Sequence, residues 1–189
     1  MRIFILLGHP NTDTFCGYFA SVYEGAAKAA GHEVRRMNIA DMQFDPILHK
    51  GYKERMNLEP DLLEVQENLK WCEHFVLVYP NWWGNMPALL KGMWDRMFLP
   101  RFAFSMYKNH FGWDRLLKGR TARVIILTGN PPILDRFAFG NYMSSIGSSI
   151  LRFAGYKTRF TSFGPSEHPT ERMTRRWTAK VEKLARKGR

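Results

Sequence analysis

The chain has 189 residues, 45% of them apolar and 24% charged, with 28 Lys/Arg against 17 Asp/Glu and a net charge of +11. A domain of this length hides about 70% of the surface its unfolded chain exposes, and the composition is that of globular proteins. A disordered main state and a fold stapled by disulfides or metal are therefore both excluded. The charge is uneven: from Arg172 to Arg189, eight Lys/Arg face one acid, Glu182, which places +7 of the +11 there. No run reaches the ~18–20 apolar residues of a membrane span, and the apolar run Ile3–Leu7 is too short for a signal core. Two cysteines, Cys16 and Cys72, lack CxxC spacing, which favours a reducing, cytoplasmic setting.

In chain order, Ile3–Leu7 is a continuous apolar run, the pattern of a strand buried on both faces. Phe15–Ala30 is expected to be a helix closed by Gly31. Glu33–Met37 is a weaker strand, Leu62–Trp71 a helix, and Phe75–Tyr79 a fully apolar strand. Pro87–Phe98 reads as a helix with proline in its first turn. Ala122–Leu127 is a fourth strand, Tyr142–Ala154 a helix and Tyr156–Phe163 a fifth strand. Thr170–Lys187 closes the chain as a helix with Thr170 as N-cap. On it Met173, Trp177, Val181 and Leu184 share one face, and the basic residues fall largely off that face. Strands interleaved with helices predict one domain over residues 1–189, a parallel sheet covered on both sides. Two connections, Asn38–Asp61 and Leu99–Arg120, exceed ordinary loop length, and such loops tend to be functional.

In open α/β sheets ligands bind beyond the C-terminal strand ends, and three of those ends here are unusual. Gly8-His9-Pro10-Asn11-Thr12-Asp13-Thr14-Phe15-Cys16 leads from a strand into a helix N-terminus, where unpaired N–H groups, hydroxyls and an imidazole suit a phosphate. Helix capping explains the Thr and Asp residues equally well. Pro80-Asn81-Trp82-Trp83-Gly84-Asn85-Met86-Pro87 sets two tryptophans in one loop. One is expected in the core; the other suits a flat ligand, with Gly and Asn allowing close backbone approach. Thr128-Gly129-Asn130-Pro131-Pro132 offers a polar clamp or a plain tight turn. Together they hold a phosphate site, an aromatic wall and a clamp, the inventory for a flavin nucleotide.

At these residues the sequence resembles the flavodoxin-like NAD(P)H:quinone oxidoreductase family of modulator-of-drug-activity and general-stress flavoproteins. Pro80 through Phe98 carries the likeness, with Met86-Pro87-Ala88-Leu89-Leu90-Lys91-Gly92 and Asp95-Arg96-Met97-Phe98 at the family spacing. Gly8-His9-Pro10, Thr14-Phe15 and Asp45-Pro46-Ile47 also match. The resemblance implies a flavodoxin-like three-layer sandwich whose five parallel strands run in the order 2-1-3-4-5. It implies a homodimer with a non-covalent flavin, FAD or FMN, at each subunit boundary. It also implies ping-pong hydride transfer from NAD(P)H to a quinone-like or other small acceptor. By position, His9, Thr14, Phe15 and Cys16 would hold the flavin phosphates. Pro80, Asn81, Trp82, Trp83 and Gly84 would line the isoalloxazine edge through backbone groups, and Thr128, Gly129 and Asn130 would reach its pyrimidine side. Phe104 and Met106 fall at substrate-stacking positions, which makes the acceptor pocket more apolar. Cys16 replaces an Asn or Ser, and the Tyr and His that steady reduced flavin in some members fall near Asp135 and Asn141 here.

In this reading the flavin does the redox chemistry and no side chain serves as nucleophile. His9, His32, His49, His74, His110 and His168 are too scattered for a metal. Cys16 at a helix N-terminus is expected to have a lowered pKa, but no partner for it is recognisable. Competing readings are a flavodoxin-type electron carrier, a regulatory subunit of a membrane transporter, and nucleic-acid binding by the basic tail. The last is not expected, because no RNA-binding or zinc signature accompanies the charge.

Overall fold

The computed structural model describes residues 1–107 and 111–189, so His110 lies outside the described residues. Strands β1 (Arg2–Leu7), β2 (Glu33–Asn38), β3 (His74–Pro80), β6 (Thr121–Leu127) and β7 (Lys157–Phe163) form a parallel sheet in the order β2-β1-β3-β6-β7. These are the five expected strands in the expected order. The numbering differs because a small antiparallel hairpin, β4 (Phe104–Met106) with β5 (Trp113–Arg115), interrupts the Leu99–Arg120 connection. Strands of three residues are too short to show periodicity in sequence.

Alternation along the strands divides the core between the two sheet faces. Phe4, Leu6, Phe75, Leu77, Tyr79, Val124 and Ile126 face α2 (Pro60–Trp71), α3 (Ala88–Met97) and a π-helical segment, Ser145–Arg152. Ile3, Ile5, Leu7, Val76, Val78, Ile125 and Leu127 face α1 (Phe15–Ala29) and α5 (Glu171–Arg186). The π-helix lies inside the expected helix Tyr142–Ala154. Its Gly147 passes so close to β7 that a Cβ there would collide with the Phe160 ring.

Helix α5 is capped by the Thr170 hydroxyl, which accepts from the Met173 N–H at 3.3 Å. Trp177, Val181 and Leu184 pack with Phe19, Phe163 and α1, while Met173 stays half-buried at the rim. Arg172, Arg175, Arg176, Lys183, Arg186 and Lys187 are exposed. The basic tail is thus the solvated outer face of an amphipathic helix. A second helix between β6 and the π-helix, α4 (Pro132–Phe139), was not expected, because Pro131-Pro132 reads as a stiffened turn. Proline at N1 starts a helix as readily as it stiffens a loop. Among the described residues, no helix is long and apolar enough to cross a membrane.

Candidate functional site

The C-terminal ends of β1, β3 and β6 bring the three unusual loops to one edge of the sheet. After β1 the Gly8 N–H bonds the Val78 carbonyl at 2.8 Å, which ties the first loop to β3. The loop then folds back onto its own helix. The Thr14 hydroxyl caps α1 by accepting from the Gly17 N–H at 3.3 Å, and a Cβ on Gly17 would collide with the Thr12 carbonyl. The N–H groups of Thr12, Phe15 and Cys16 find no acceptor among the described residues, so three donors at a helix N-terminus are left for a ligand. The Phe15 ring packs against Tyr18 and Phe19.

His9 takes a defined form. Its Nδ1 accepts from the Asn11 N–H at 2.9 Å, which places the proton on Nε2. Burial holds its pKa below the usual histidine range, against the opposing effect of the Asn11 bond. The result is a neutral imidazole with a free Nε2–H donor, its ring edge-on to Trp82 at 5.4 Å.

Cys16 corrects an expectation. Its thiol faces the core at 2% exposure, and burial pushes its pKa well up, not down. A thiolate there is disfavoured by desolvation, so the helix N-terminus does not activate it, and the residue can meet a phosphate only through its backbone N–H.

At the end of β3, Pro80 is buried, and just beyond it the Asn81 N–H bonds the Leu127 carbonyl at 2.7 Å. Trp82 and Asn85 then pair across a two-residue turn, with N–H to carbonyl bonds of 2.8 and 3.0 Å. Trp83 (φ 52°) and Gly84 (φ 78°) occupy its centre. Both are left-handed, as a primed turn requires, and for tryptophan that conformation is strained. The turn throws both rings outward: Trp82 is 44% and Trp83 91% exposed. Neither is in the core, contrary to expectation, because backbone handedness here decides side-chain direction over hydrophobicity. The Trp83 and Gly84 N–H groups have no acceptor among the described residues.

After β6, Thr128 is fully buried and its hydroxyl is consumed by the Asn130 carbonyl at 2.7 Å and the Phe163 carbonyl at 3.2 Å. It braces the turn and does not face outward. The Asn130 side chain is likewise engaged, donating to Asp135 on α4 at 3.0 Å. Asn81 donates to the other oxygen of the same carboxylate at 2.9 Å. What this loop offers a ligand is the pair of N–H groups at Gly129 and Asn130, which bond nothing among the described residues. The role of Asp135 as a bridge between two loops has no local sequence signal.

Phe104 and Met106 stand elsewhere. They lie on β4, with Phe104 edge-on to Phe153 at 5.0 Å and Met106 46% exposed. No ring contact or hydrogen bond among the described residues joins them to the three loops. Phe104 lines a separate cavity of about 890 Å3 beside α3 and the π-helix, with Tyr52, Trp94, Leu99, Ile150 and Phe153. Its wall includes Arg96, which is 1% exposed and bonds the Glu59 carboxylate at 2.9 and 3.1 Å, the Asn57 carbonyl at 2.8 Å and the Asp45 carbonyl. A Cβ on Gly92 would collide with Pro46. The distant sequence matches Asp45-Pro46 and Gly92–Arg96 are therefore one packed unit, which pins the long connection after β2. No His/Cys/Asp/Glu cluster of metal-binding form occurs among the described residues.

A doubly wound sheet with donor-rich loops at its C-terminal edge defines a class, and a family model described as flavodoxin-like fold matches residues 1–182; the chain belongs to that family. Among curated proteins, the ribosyldihydronicotinamide dehydrogenase (quinone) of Pongo abelii is 26% identical over 97% of this chain and 91% of its own. An uncharacterized NAD(P)H oxidoreductase of Haemophilus influenzae is 30% identical over 69% of this chain, which spans 65% of that protein. Of solved structures, the NAD(P)H:quinone oxidoreductase from Methanothermobacter marburgensis superposes with a TM-score of 0.79 at 21% identity over 98% of each chain. An FMN-dependent NADH-azoreductase from Bacillus anthracis gives 0.76 at 20% identity, again over 98% of each chain. At those identities the structures show the shared fold.

Proposed function

We propose that this chain is a flavin-dependent NAD(P)H oxidoreductase that passes a hydride from NAD(P)H through a bound flavin to a quinone-like or other small acceptor. The observation that carries this is the set of backbone N–H groups left without acceptors on three adjacent loops. Thr12, Phe15 and Cys16 stand on the first, Trp83 and Gly84 on the second, Gly129 and Asn130 on the third. Such a set suits a phosphate at one end and a ring edge rich in heteroatoms at the other. The names of the related oxidoreductases support the same reading.

The residues present fit a flavin. His9 would donate its Nε2–H to a phosphate oxygen, beside the α1 N-terminus and the N–H groups of Phe15 and Cys16. The Thr14 hydroxyl keeps that N-terminus in place. Trp83 and Gly84 would donate to the ring edge, held at that spacing by the Trp82–Asn85 pair. Gly129 and Asn130 would reach the pyrimidine side, with Thr128 bracing their turn. Bound flavin supplies the two-electron acceptor and donor that no side chain here provides. Trp82 and Trp83 shield the ring region from water.

The working unit in this proposal is a homodimer. No ring contact or hydrogen bond among the described residues ties Phe104 or Met106 to the loops of their own chain, so in a dimer the hairpin of one copy is available to the site of the other. NAD(P)H and the acceptor would then occupy the site in turn, a ping-pong cycle. The test is the visible spectrum of the purified protein, before and after anaerobic NADH or NADPH. Flavin bands that bleach on addition are expected, and acid release with chromatography separates FMN from FAD. Parallel double-reciprocal lines are expected for NAD(P)H against acceptor. A protein that takes up neither flavin in excess would end this reading.

A further inference from the structure

Helix α4 is built inside out. Asp135, at 2% exposure, is the buried residue of Pro132–Phe139, whereas Ile133, Leu134, Phe137 and Phe139 are between 40% and 84% exposed. A surface helix normally does the reverse. A carboxylate taken out of water is costly unless it is paired. None of the ion pairs among the described residues includes Asp135. Two amides hold it instead: Asn81 donates to one oxygen at 2.9 Å and Asn130 to the other at 3.0 Å. In making that bond, Asn81 leaves its own Oδ1 buried without a donor among the described residues. Apolar side chains in the same space would be cheaper, so stability alone does not account for the arrangement. Local rules broken together in this way mark functional sites.

The position matters. Asn81 precedes the turn that presents the Trp83 and Gly84 N–H groups, and Asn130 belongs to the turn that presents Gly129. Asp135 ties these two turns to each other, its carboxylate bonding one side chain from the loop of each. In a site with little water such a charge is weakly screened. We infer that Asp135 is a positioning residue for the bound flavin. It sets the spacing of the two turns, and its charge disfavours electron uptake by the ring, which makes the reduced flavin a stronger donor to the acceptor. This rests on the flavin reading above.

Asp135→Asn keeps the shape and removes the charge. Both tethers can survive it, because Asn81 can rotate its amide so that the orphaned oxygen accepts. The measurements are the dissociation constant of oxidised flavin, from fluorescence quenching, and the midpoint potential, from anaerobic titration against a reference dye. In Asp135→Asn the affinity ratio of reduced over oxidised flavin is expected to rise about tenfold, a two-electron potential ~30 mV more positive. Asn130→Ala keeps the charge and cuts one tether. It is expected to weaken both flavin forms alike and leave the potential unchanged. An unchanged potential in flavin-loaded Asp135→Asn overturns the role of the charge. Undiminished affinity in Asn130→Ala overturns the role of the tether. If Asp135→Asn does not fold, Asp135→Ser carries the same potential test. Wild-type protein that binds no flavin is a separate failure, which removes the flavin reading itself.

Discussion

Acid stability should hinge on His74. This residue opens β3, is 1% exposed, and bonds the Thr121 hydroxyl through Nδ1 at 2.7 Å, while its Nε2 has no partner among the described residues. Burial, then the nearby charges of Arg123 and His32, push its pKa down from 6.5 to about 4. Above pH ~6.5 the imidazole is neutral in both folded and unfolded chains, and its contribution to stability is fully present. Between pH ~6.5 and ~4 the unfolded chain takes up a proton that the folded chain refuses, so stability falls with pH. Below ~4 both forms are protonated and the loss is complete. An interval of about 2.5 pH units at about 1.4 kcal/mol per unit gives a loss of roughly 3.5 kcal/mol. The assay is the urea midpoint from pH 7.5 to 4 for wild type and for His74→Gln, which keeps a polar group opposite Thr121 but does not titrate. Carboxylates whose pKa values are lowered also weaken the fold in acid, but equally in both proteins, so the difference isolates His74. Stability curves that run parallel across this range would refute the reasoning.

Three further outcomes are expected. Gly84→Ala puts a Cβ at φ 78° and 2.9 Å from the Phe139 Cβ; the left-handed conformation costs about 1–2 kcal/mol, and both a lower melting temperature and weaker flavin fluorescence quenching should report it. Arg96→Met leaves the Glu59 carboxylate and the Asn57 and Asp45 carbonyls without their donor, a loss of about 1–3 kcal/mol because the Glu59 side chain keeps contact with water. Limited proteolysis should then cut between residues 43 and 61, where wild type resists. A thiol reagent at pH 7.5 should label neither Cys16 nor Cys72 in the folded protein, because burial pushes both thiols up, that of Cys72 to about 11. Full labelling should appear in denaturant, and rapid labelling of native Cys16 would contradict its burial.

Most of the frame was legible because β1 and β3 are continuous apolar runs, β6 is nearly so, and most of the helices carry apolar faces at helical spacing. Those signals are local, and they survive any detail of packing. The elements that escaped notice lack them. The hairpin β4–β5 has three residues a side. Helix α4 buries an aspartate and exposes its apolar side chains, so its periodicity points the wrong way. The same is true within the site. Its three loops stand out by glycine, proline and tryptophan content, yet the direction of their side chains does not. Trp83 leaves the core because its φ is positive. Thr128 turns inward because the Asn130 and Phe163 carbonyls lie within reach of its hydroxyl.

The sequence by itself determined a basic α/β chain, the outward basic face of the last helix and the three loops at one sheet edge. Each follows from composition or from spacing along a few turns of chain. Tertiary structure decided which groups in those loops are free to bind. It withdrew the Cys16 thiol and the Thr128 hydroxyl into the interior, left the N–H groups of Thr12, Phe15, Cys16, Trp83, Gly84, Gly129 and Asn130 without acceptors among the described residues, and joined Asn81 to Asn130 through Asp135. Whether a polar group is spent or available depends in part on partners far along the chain: the Thr128 hydroxyl reaches the Phe163 carbonyl 35 residues away, and Asn81 reaches Asp135 54 residues away. Only packing brings such partners within hydrogen-bonding distance, so that choice is absent from any local pattern.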